Sequence, residues 1–267
     1  MKSIEKRIIS FIGGGIITGV FIERMINSGL HSPDNIMVSD IKKERLEELE
    51  KKYCVKVTQN NAVASEFGDF VFIAVPPPQV KAVLSEDCKM LRTDQVLISL
   101  AAAVPLWIYE SVLCKEIAVV RVIANTPSII GKGVNPYCLG IYLTEQQKKD
   151  VKELLSIFGT AVKIDESQMN IATAITAVGP TYWFPAVKSL LDFAKEKGID
   201  KELSYQFVVG TLLGTAEMIL QTMQDPDELK LMIGTRTINE QSVNQLFKDA
   251  VEEAFKKINY ATEKLTQ

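Results

Sequence analysis

A run of glycines followed by an acid is the part of the chain best suited to chemistry. Gly13, Gly14 and Gly15 come directly after the apolar segment Ile-Ile-Ser-Phe-Ile, and Asp40 ends a second apolar segment, Ile-Met-Val-Ser. Glycines let the backbone approach a pyrophosphate, and the helix that follows offers its N-terminal N–H groups. An acid about 20 residues further on binds ribose hydroxyls. Asp40 lies 25 residues after Gly15, so the order predicts dinucleotide binding and redox chemistry.

The match to the glycine fingerprint is incomplete at its third position. Gly13 and Gly15 supply the first two glycines, but Thr18 stands where the third belongs, and Gly19 comes one residue late. A purely structural strand-to-helix turn is the alternative, since glycine-rich turns also occur without a ligand. The strand before the turn and the acid after it favour the dinucleotide.

Nucleophilic catalysis has little support in the sequence. The chain has one histidine, His31, in the polar segment Ser-Gly-Leu-His-Ser-Pro-Asp, where we expect it to be solvated. A mechanism that needs two histidines is excluded. Hydride transfer needs no nucleophile from the protein because the cofactor carries the reaction, so a reductase fits better than a hydrolase.

The composition argues against several other classes of protein. The net charge is -3, from 30 basic and 33 acidic residues without a basic stripe, so nucleic acid is not an expected partner. No C-x-x-C pair occurs among the cysteines at 54, 88, 114 and 138, so we expect reduced thiols and no metal site. The charged N-terminal segment does not fit a signal peptide, which favours a cytoplasmic protein.

The elements that would position the glycine turn alternate between strand and helix over residues 1–165. This alternation is typical of a right-handed, doubly wound parallel sheet of the Rossmann type, within the α/β class. Apolar runs predict strands at 7–12, 36–39, 54–57, 69–75, 95–99 and 117–123. Further helices are expected at 42–52, 61–67, 80–91 and 144–158. We expect 139–143 and 160–164 to be edge strands beside the last of these helices.

Residues 166–267 contain only helical patterns and form the second predicted domain, at 168–178, 180–197, 201–223 and 239–265. The apolar stretch that begins at Phe207 suggests a membrane helix, but Glu217 and Gln221 interrupt it before about 18 uncharged apolar residues accumulate. Gly210 and Gly214 are expected to pack against another helix. The apolar excess predicts a homodimer or higher homo-oligomer through 166–267, with 180–235 near the interface, and no membrane partner.

Four segments, together with the glycine turn, resemble the pyrroline-5-carboxylate reductase family over nearly the whole chain. They are Ala74-Val-Pro-Pro, Ser99-Leu-Ala-Ala-Ala-Val, Arg121-Val-Ile-Ala-Asn-Thr-Pro and Ala177-Val-Gly-Pro-Thr-Tyr. The resemblance implies a Rossmann domain followed by a helical dimerisation domain. It also implies reduction of the C=N bond of 1-pyrroline-5-carboxylate to proline with NADPH or NADH. Substrate would bind between the nicotinamide and the helices, with loops from a partner subunit contributing.

The resemblance and the chemistry of the residues together predict the site. A helix start can bind the carboxylate of an imino acid through its N–H groups, and positioning carries most of the task. The expected catalytic residues are Gly179, Pro180, Thr181 and Thr237. Those expected to bind substrate are Asn125, Val178 and Arg236. Those expected to bind the cofactor are Gly13, Gly15, Ile16, Ile17, Asp40, Asn61, Ala74, Val75, Pro76, Ala101 and Asn125. A plain turn is the alternative for Asn125-Thr-Pro.

The chain departs from the family pattern at several of these positions. Pro76-Pro77 replaces Lys-Pro, Val178 replaces a hydroxyl residue, Ala124 replaces a proline, and the loop Gly234-Thr-Arg-Thr is shortened. Arg236 is expected either to clamp a second carboxylate or a larger acid of the substrate, or to be a surface arginine that caps a helix or pairs with Glu240.

The cofactor and the acceptor keep alternatives open. Asp40 favours NADH, because it would bind both ribose hydroxyls and repel a 2′-phosphate, while Lys42 and Lys43 leave NADPH open. One alternative function is a reductase of the same superfamily with another acceptor, such as a deazaflavin or a β-hydroxyacid. The Gly-Pro-x-Tyr segment and the lack of a lysine before Lys188 on that helix argue against it. The other is a dinucleotide-binding paralogue without catalysis.

Overall fold

A computed structural model describes residues 7–86, 91–113 and 116–266 of the chain. Two compact units divide the protein: Met1–Val178 with Glu253–Gln267, and Gly179–Glu252. The predicted domain boundary at residue 165 stays a prediction.

Eight strands and eleven α-helices occur among the described residues. The strands are β1 (Ile9–Ile12), β2 (Ile36–Ser39), β3 (Lys56–Thr58), β4 (Phe70–Ile73), β5 (Val96–Ser99), β6 (Ala118–Val122), β7 (Gly133–Leu139) and β8 (Gly159–Lys163). The helices of the first part of the chain are α1 (Ile16–Asn27), α2 (Lys43–Tyr53), α3 (Asn61–Phe67), α4 (Val80–Glu86), α5 (Leu106–Leu113), α6 (Glu145–Ser156) and α7 (Met169–Ala172). They are followed by α8 (Pro180–Glu196), α9 (Lys201–Thr222), α10 (Pro226–Leu229) and α11 (Glu240–Thr266).

The strands form one eight-stranded sheet in the order β3-β2-β1-β4-β5-β6-β7-β8, which confirms the predicted α/β class. All neighbouring strands are parallel except β6 and β7, so the expectation of a wholly parallel sheet is wrong at that pair. The connection from Val122 to Gly133 contains only the short 3-10 helix Thr126–Ile130. A parallel crossover needs a dozen or more residues and usually a full helix, so this shorter connection returns the chain antiparallel.

The strand β7 was misplaced by the sequence pattern. Residues 139–143 were expected at an edge, whereas the strand is Gly133–Leu139 and lies between β6 and β8. Glycine, asparagine and proline weaken its strand signal. The Pro136 carbonyl nevertheless accepts a hydrogen bond from Ile123 N at 2.9 Å, so the proline fits the ladder as an acceptor. The expected edge strand at 160–164 is confirmed as β8 (Gly159–Lys163).

Aromatic packing fixes α1 against the sheet. The Phe11 and Phe72 rings stack with centroids 4.7 Å apart, and Phe21 of α1 stacks on Phe158 at 4.0 Å. Every residue of β1, β4, β5 and β6 is buried, as expected for strands covered on both faces. This packing fixes where the N-terminus of α1 meets the end of β1.

The helix α5 and the position of His31 were not anticipated. Leu106–Leu113 is helical and buries Ile108 and Tyr109. The side chain of His31 is 2% exposed, so the expectation of a solvated histidine is wrong. Its polar neighbours are consistent with a loop, and it does lie in the segment between α1 and the 3-10 turn Pro33–Asn35, but it is buried there. Cys54 is exposed and Cys138 buried, while Cys88 and Cys114 lie outside the described residues.

The second unit is helical, as expected, and exposes many apolar side chains. Exposed apolar residues of α8 and α9 include Trp183, Phe184, Leu190, Phe193, Phe207, Leu213 and Leu220. Among the described helices, α9 is long and apolar enough to cross a membrane by length and composition alone. Glu217 lies within it, and the absence of a membrane partner stays a prediction.

Candidate active site

A cavity of about 540 Å³ lies in the first unit at the carboxyl ends of β1, β2 and β4. The chain order reverses between β1 and β4, and open α/β sheets bind ligands outside such a reversal. Its lining residues are Gly13, Gly14, Gly15, Ile16, Asp40, Ile41, Lys42, Arg45, Asn61, Ala74, Val75, Pro76, Gln79 and Val83. Eight residues expected to bind the cofactor lie together here: Gly13, Gly15, Ile16, Asp40, Asn61, Ala74, Val75 and Pro76.

Gly13 turns the chain from β1 into α1 in a conformation that favours glycine. Its φ is +103°, and a Cβ atom here would lie 2.7 Å from the carbonyl oxygen of Ala74. Its N–H donates to Ser39 O at 2.8 Å, and its carbonyl accepts the buried Thr18 hydroxyl at 2.6 Å. Thr18, which breaks the glycine fingerprint, therefore closes the turn from within.

The N-terminus of α1 is open toward a ligand. Gly15 is the N-cap with no side-chain cap, and no acidic residue occupies the first turn. A Cβ atom at Gly15 would meet no atom within 4 Å. The first N–H groups of a helix and its positive dipole end favour an anion. The arrangement fits the pyrophosphate of a dinucleotide.

Backbone donors fix Asp40 at the cavity wall. Its Oδ2 accepts from Gly14 N at 2.7 Å and its Oδ1 from Lys42 N at 2.9 Å. Each oxygen keeps a further lone pair for a ribose hydroxyl. The carboxylate thus connects the glycine turn to the expected ribose position.

Arg45 is a cavity residue that sequence reasoning missed. Its Nε donates to Gly14 O at 2.6 Å and its Nη2 to Gly15 O at 3.4 Å, while Nη1 pairs with Glu48 at 2.8 Å. Its sequence signal is only an arginine soon after the ribose acid, on a helix that otherwise has a charged surface pattern. Gln79 and Val83 also line the cavity, and no motif in the sequence marks them as binding residues.

Three of the residues expected to bind the cofactor are not among those lining this cavity. Ile17 packs against the core, and Ala101 is 3% exposed with its N–H donated to Ser99 Oγ at 3.1 Å. Asn125 donates to Thr176 O at 3.2 Å and accepts from Val134 N at 3.1 Å. Both ends of the Asn125 amide therefore hold backbone groups of other segments, and its contact with a ligand stays a prediction.

The other predicted substrate and catalytic residues are divided between the two units. Val178 is the last residue of the N-terminal segment of the first unit, and its N–H donates to Thr173 O at 3.3 Å. Gly179 is the N-cap of α8 without a side-chain cap, and Pro180 and Thr181 begin the helix. Arg236 and Thr237 belong to the second unit, between α10 and α11. The assembly of these residues into one site stays a prediction.

The alternative partner expected for Arg236 is engaged elsewhere. Glu240 accepts from Lys230 Nζ at 2.6 Å, and Lys230 also pairs with Asp227 at 2.8 Å. No ion pair of Arg236 is found within the part of the chain that the structure describes. Its guanidinium is exposed.

A buried polar cluster at the end of β6 also escaped sequence reasoning. The side chain of Arg121 is 2% exposed and pairs with Glu166 at 2.6 Å. Cys138 donates to the same carboxylate at 2.6 Å, and burial followed by this hydrogen bond raises the pKa of its thiol. Asn170 accepts from Arg121 at 3.3 Å and donates to Asn259 at 2.9 Å. An arginine inside the apolar run Ala-Val-Val-Arg-Val was the available signal.

Metal chemistry has no candidate cluster in the regions described, where no group of three or more His, Cys, Asp or Glu side chains converges. What the cavity offers instead is a glycine turn, an open helix N-terminus and a fixed carboxylate. That set fits the binding of a dinucleotide.

Two family models match the chain over its two parts. Residues 8–103 match the family described as NADP oxidoreductase coenzyme F420-dependent. Residues 166–264 match the family described as pyrroline-5-carboxylate reductase dimerisation.

Known proteins resemble the chain over almost its full length. A pyrroline-5-carboxylate reductase of Methanosarcina acetivorans is 31% identical over 256 residues, which cover 92% of this chain and 95% of the relative. Pyrroline-5-carboxylate reductase 1 of Bacillus subtilis is 32% identical over 85% of this chain and 76% of its own length. The solved structure of the Plasmodium falciparum pyrroline carboxylate reductase with NADP bound is 25% identical, with a TM-score of 0.86 over 97% of this chain and 100% of that one.

Proposed function

We propose that this chain, which belongs to the pyrroline-5-carboxylate reductase family, reduces the C=N bond of 1-pyrroline-5-carboxylate, or of a related cyclic imino acid, to proline or its analogue. NADH or NADPH supplies the hydride. The observation that carries the proposal is the cavity in which the glycine turn, the N-terminus of α1 and Asp40 meet. The relatives of the chain are pyrroline-5-carboxylate reductases, which supports the same reaction here.

The first unit binds and orients the coenzyme. The free N–H groups of the first turn of α1 bind the pyrophosphate, and the absence of side-chain atoms at Gly15 lets it approach. Asp40 accepts the ribose hydroxyls. Asn61, Ala74, Val75 and Pro76 line the remaining wall. Ile17, Ala101 and Asn125 belong to the proposed coenzyme site through their place in the family motifs.

Substrate binding rests on the start of α8 and the loop before α11. The substrate carboxylate is placed at the helix start formed by Gly179, Pro180 and Thr181, because α8 begins without a side-chain cap. Thr237 donates a hydroxyl to the substrate, and Asn125 and Val178 border it. The protein positions the imine carbon against the nicotinamide, and this needs no histidine.

The proposed oligomer is a cytoplasmic homodimer, or a higher assembly of such dimers, formed by the C-terminal helices. Its support is the match of 166–264 to a dimerisation family and the exposed apolar faces of α8 and α9. A small imino acid is the proposed substrate, and neither nucleic acid nor a membrane is a proposed partner.

The test is a reductase assay on the full chain with 1-pyrroline-5-carboxylate and each coenzyme, followed by loss of the reduced-nicotinamide absorbance. Rapid oxidation is expected. A Thr237→Val variant should lose about tenfold in kcat/KM, as for one hydrogen bond to a reacting group. Thr235→Val, the same change two residues earlier in the loop, should retain wild-type kinetics.

Three outcomes would contradict the proposal. Coenzyme binding without oxidation would favour a paralogue without catalysis. Oxidation only with a deazaflavin, or with the keto acid partner of a β-hydroxyacid, would favour another acceptor. Equal effects of Thr237→Val and Thr235→Val would remove Thr237 from the proposed site.

Arg236→Ala is a separate test in the same assay. It should raise KM for imines with a second acid group, and an unchanged KM for every imine would remove Arg236 from the proposed site.

A further inference from the structure

We infer that Arg45 holds the glycine turn in place and leaves coenzyme selection to Asp40, so that this chain prefers NADH to NADPH. The inference rests on the proposed function, because it requires a dinucleotide in the cavity. Arg45 and Lys42 are the cations among the described residues that line this cavity, and only Arg45 has the forked geometry that suits a 2′-phosphate.

The guanidinium of Arg45 already binds the backbone of the turn. Its Nε lies 2.6 Å from Gly14 O, and its Nη2 lies 3.4 Å from Gly15 O. Its Nη1 pairs with Glu48 at 2.8 Å, in a side chain that is 31% exposed. Every nitrogen of the fork therefore has an acceptor on the turn or on its own helix. A move toward the ribose would break these contacts.

The backbone N–H and the carbonyl of Gly14 are bound by Asp40 and Arg45, the two residues that could recognise a ribose. Its N–H donates to Asp40 Oδ2 at 2.7 Å, and its carbonyl accepts from Arg45 at 2.6 Å. Asp40 is further fixed by Lys42 N at 2.9 Å. A fixed carboxylate accepts bonds from a 2′-hydroxyl, whereas a 2′-phosphate brings like charge against it.

Two roles for Arg45 predict different effects of its removal. If it positions the turn, the affinities for NADH and NADPH fall by the same factor, because both coenzymes carry the pyrophosphate. If it binds the 2′-phosphate, only the affinity for NADPH falls. The ratio of the two dissociation constants therefore separates the roles, and stability of the fold alone would not change it.

The experiment is a fluorescence titration of the full chain with NADH and with NADPH, without any imine. The wild-type chain should bind NADH about tenfold more tightly than NADPH, as expected for one like-charge contact near the surface. Arg45→Ala should weaken both coenzymes about three- to tenfold, with their ratio unchanged within about twofold. Arg45→Lys keeps the charge without the fork and should weaken both as well. Asp40→Ser should bring the two affinities together.

The matched control is Lys51→Ala, which removes one positive charge from the last turn of the same helix. Lys51 is exposed and does not line the cavity, so both affinities should remain at the wild-type value. Selective loss of NADPH in Arg45→Ala, a wild-type preference for NADPH, or equal effects of Arg45→Ala and Lys51→Ala would each overturn the inference. Failure of the wild-type chain to bind either coenzyme would overturn the proposed function as well.

Discussion

At the scale of single residues, the glycines of the turn meet different demands. Gly13 is required by the fold, because its φ is +103° and the Ala74 carbonyl occupies the space of a Cβ atom. Gly15 has an extended backbone and empty space beside it, with φ of −64° and no atom within 4 Å. Its lack of a side chain leaves room for the pyrophosphate of the proposed coenzyme.

Alanine at these two glycines should therefore have separate effects. Gly13→Ala should lower the free energy of unfolding by about 1–3 kcal/mol, from the strained φ and the close carbonyl. Gly15→Ala should leave unfolding nearly unchanged but weaken NADH binding. Urea unfolding and coenzyme titration of both variants measure this. Equal stability of the two variants would contradict the assigned roles.

At the scale of elements, a buried ion pair ties helices to the sheet. Arg121 of β6 pairs with Glu166, and Asn170 of α7 connects the pair to Asn259 of α11 at 2.9 Å. Asn259 lies in the part of α11 that belongs to the first unit. A charge with a side chain only 2% exposed needs this partner, since removal of one member leaves the other uncompensated.

Glu166→Gln should lower the free energy of unfolding by about 1–3 kcal/mol. This lies below the value for a wholly buried pair because the Glu166 side chain is 35% exposed. Glu145→Gln is the matched control: it breaks the pair with Lys148 at 2.6 Å, but the Glu145 side chain is 83% exposed. The control should leave the free energy of unfolding nearly unchanged, because exposed ion pairs contribute little. Similar losses in both variants by urea unfolding would refute a structural role for the Arg121 pair.

At the scale of the whole molecule, the helices of the second unit leave a large apolar surface exposed. Leu213 of α9 is 59% exposed and Leu220 is 73% exposed, beside a groove of about 930 Å³ lined by Trp183, Leu212 and Ile219 among others. Monomeric soluble proteins rarely expose continuous apolar faces of this kind. The match to a dimerisation family supports homo-oligomerisation, and we propose that these apolar faces form the subunit contact.

Leu220→Arg should weaken self-association by about tenfold or more, because it places a charge in an apolar contact. Sedimentation of the variant across a range of concentrations measures the change. Trp107→Arg is the control, since Trp107 is 50% exposed but lies on α5, outside both family matches. A wild-type chain that remains monomeric, or a control that dissociates as fully as Leu220→Arg, would argue against this interface.

The sequence alone determined the features whose signals are local. The glycine turn, the helix after it and Asp40 all lie within the first forty residues, and each follows from backbone preference or apolar periodicity. The alternation of strands and helices fixed the α/β class in the same way. The family motifs added the functional assignment, since their order and spacing are properties of the chain itself.

Only the tertiary structure decided the features that depend on distant partners. Arg45 reaches Gly14 across 31 residues, and Arg121 reaches Glu166 across 45. The antiparallel pairing of β7 with β6 and the burial of His31 were likewise visible only in the folded chain. Side-chain hydrogen bonds and burial are set by packing, which local pattern does not encode. The sequence therefore predicted the glycine turn and Asp40, whereas the role of Arg45 in binding that turn required the structure.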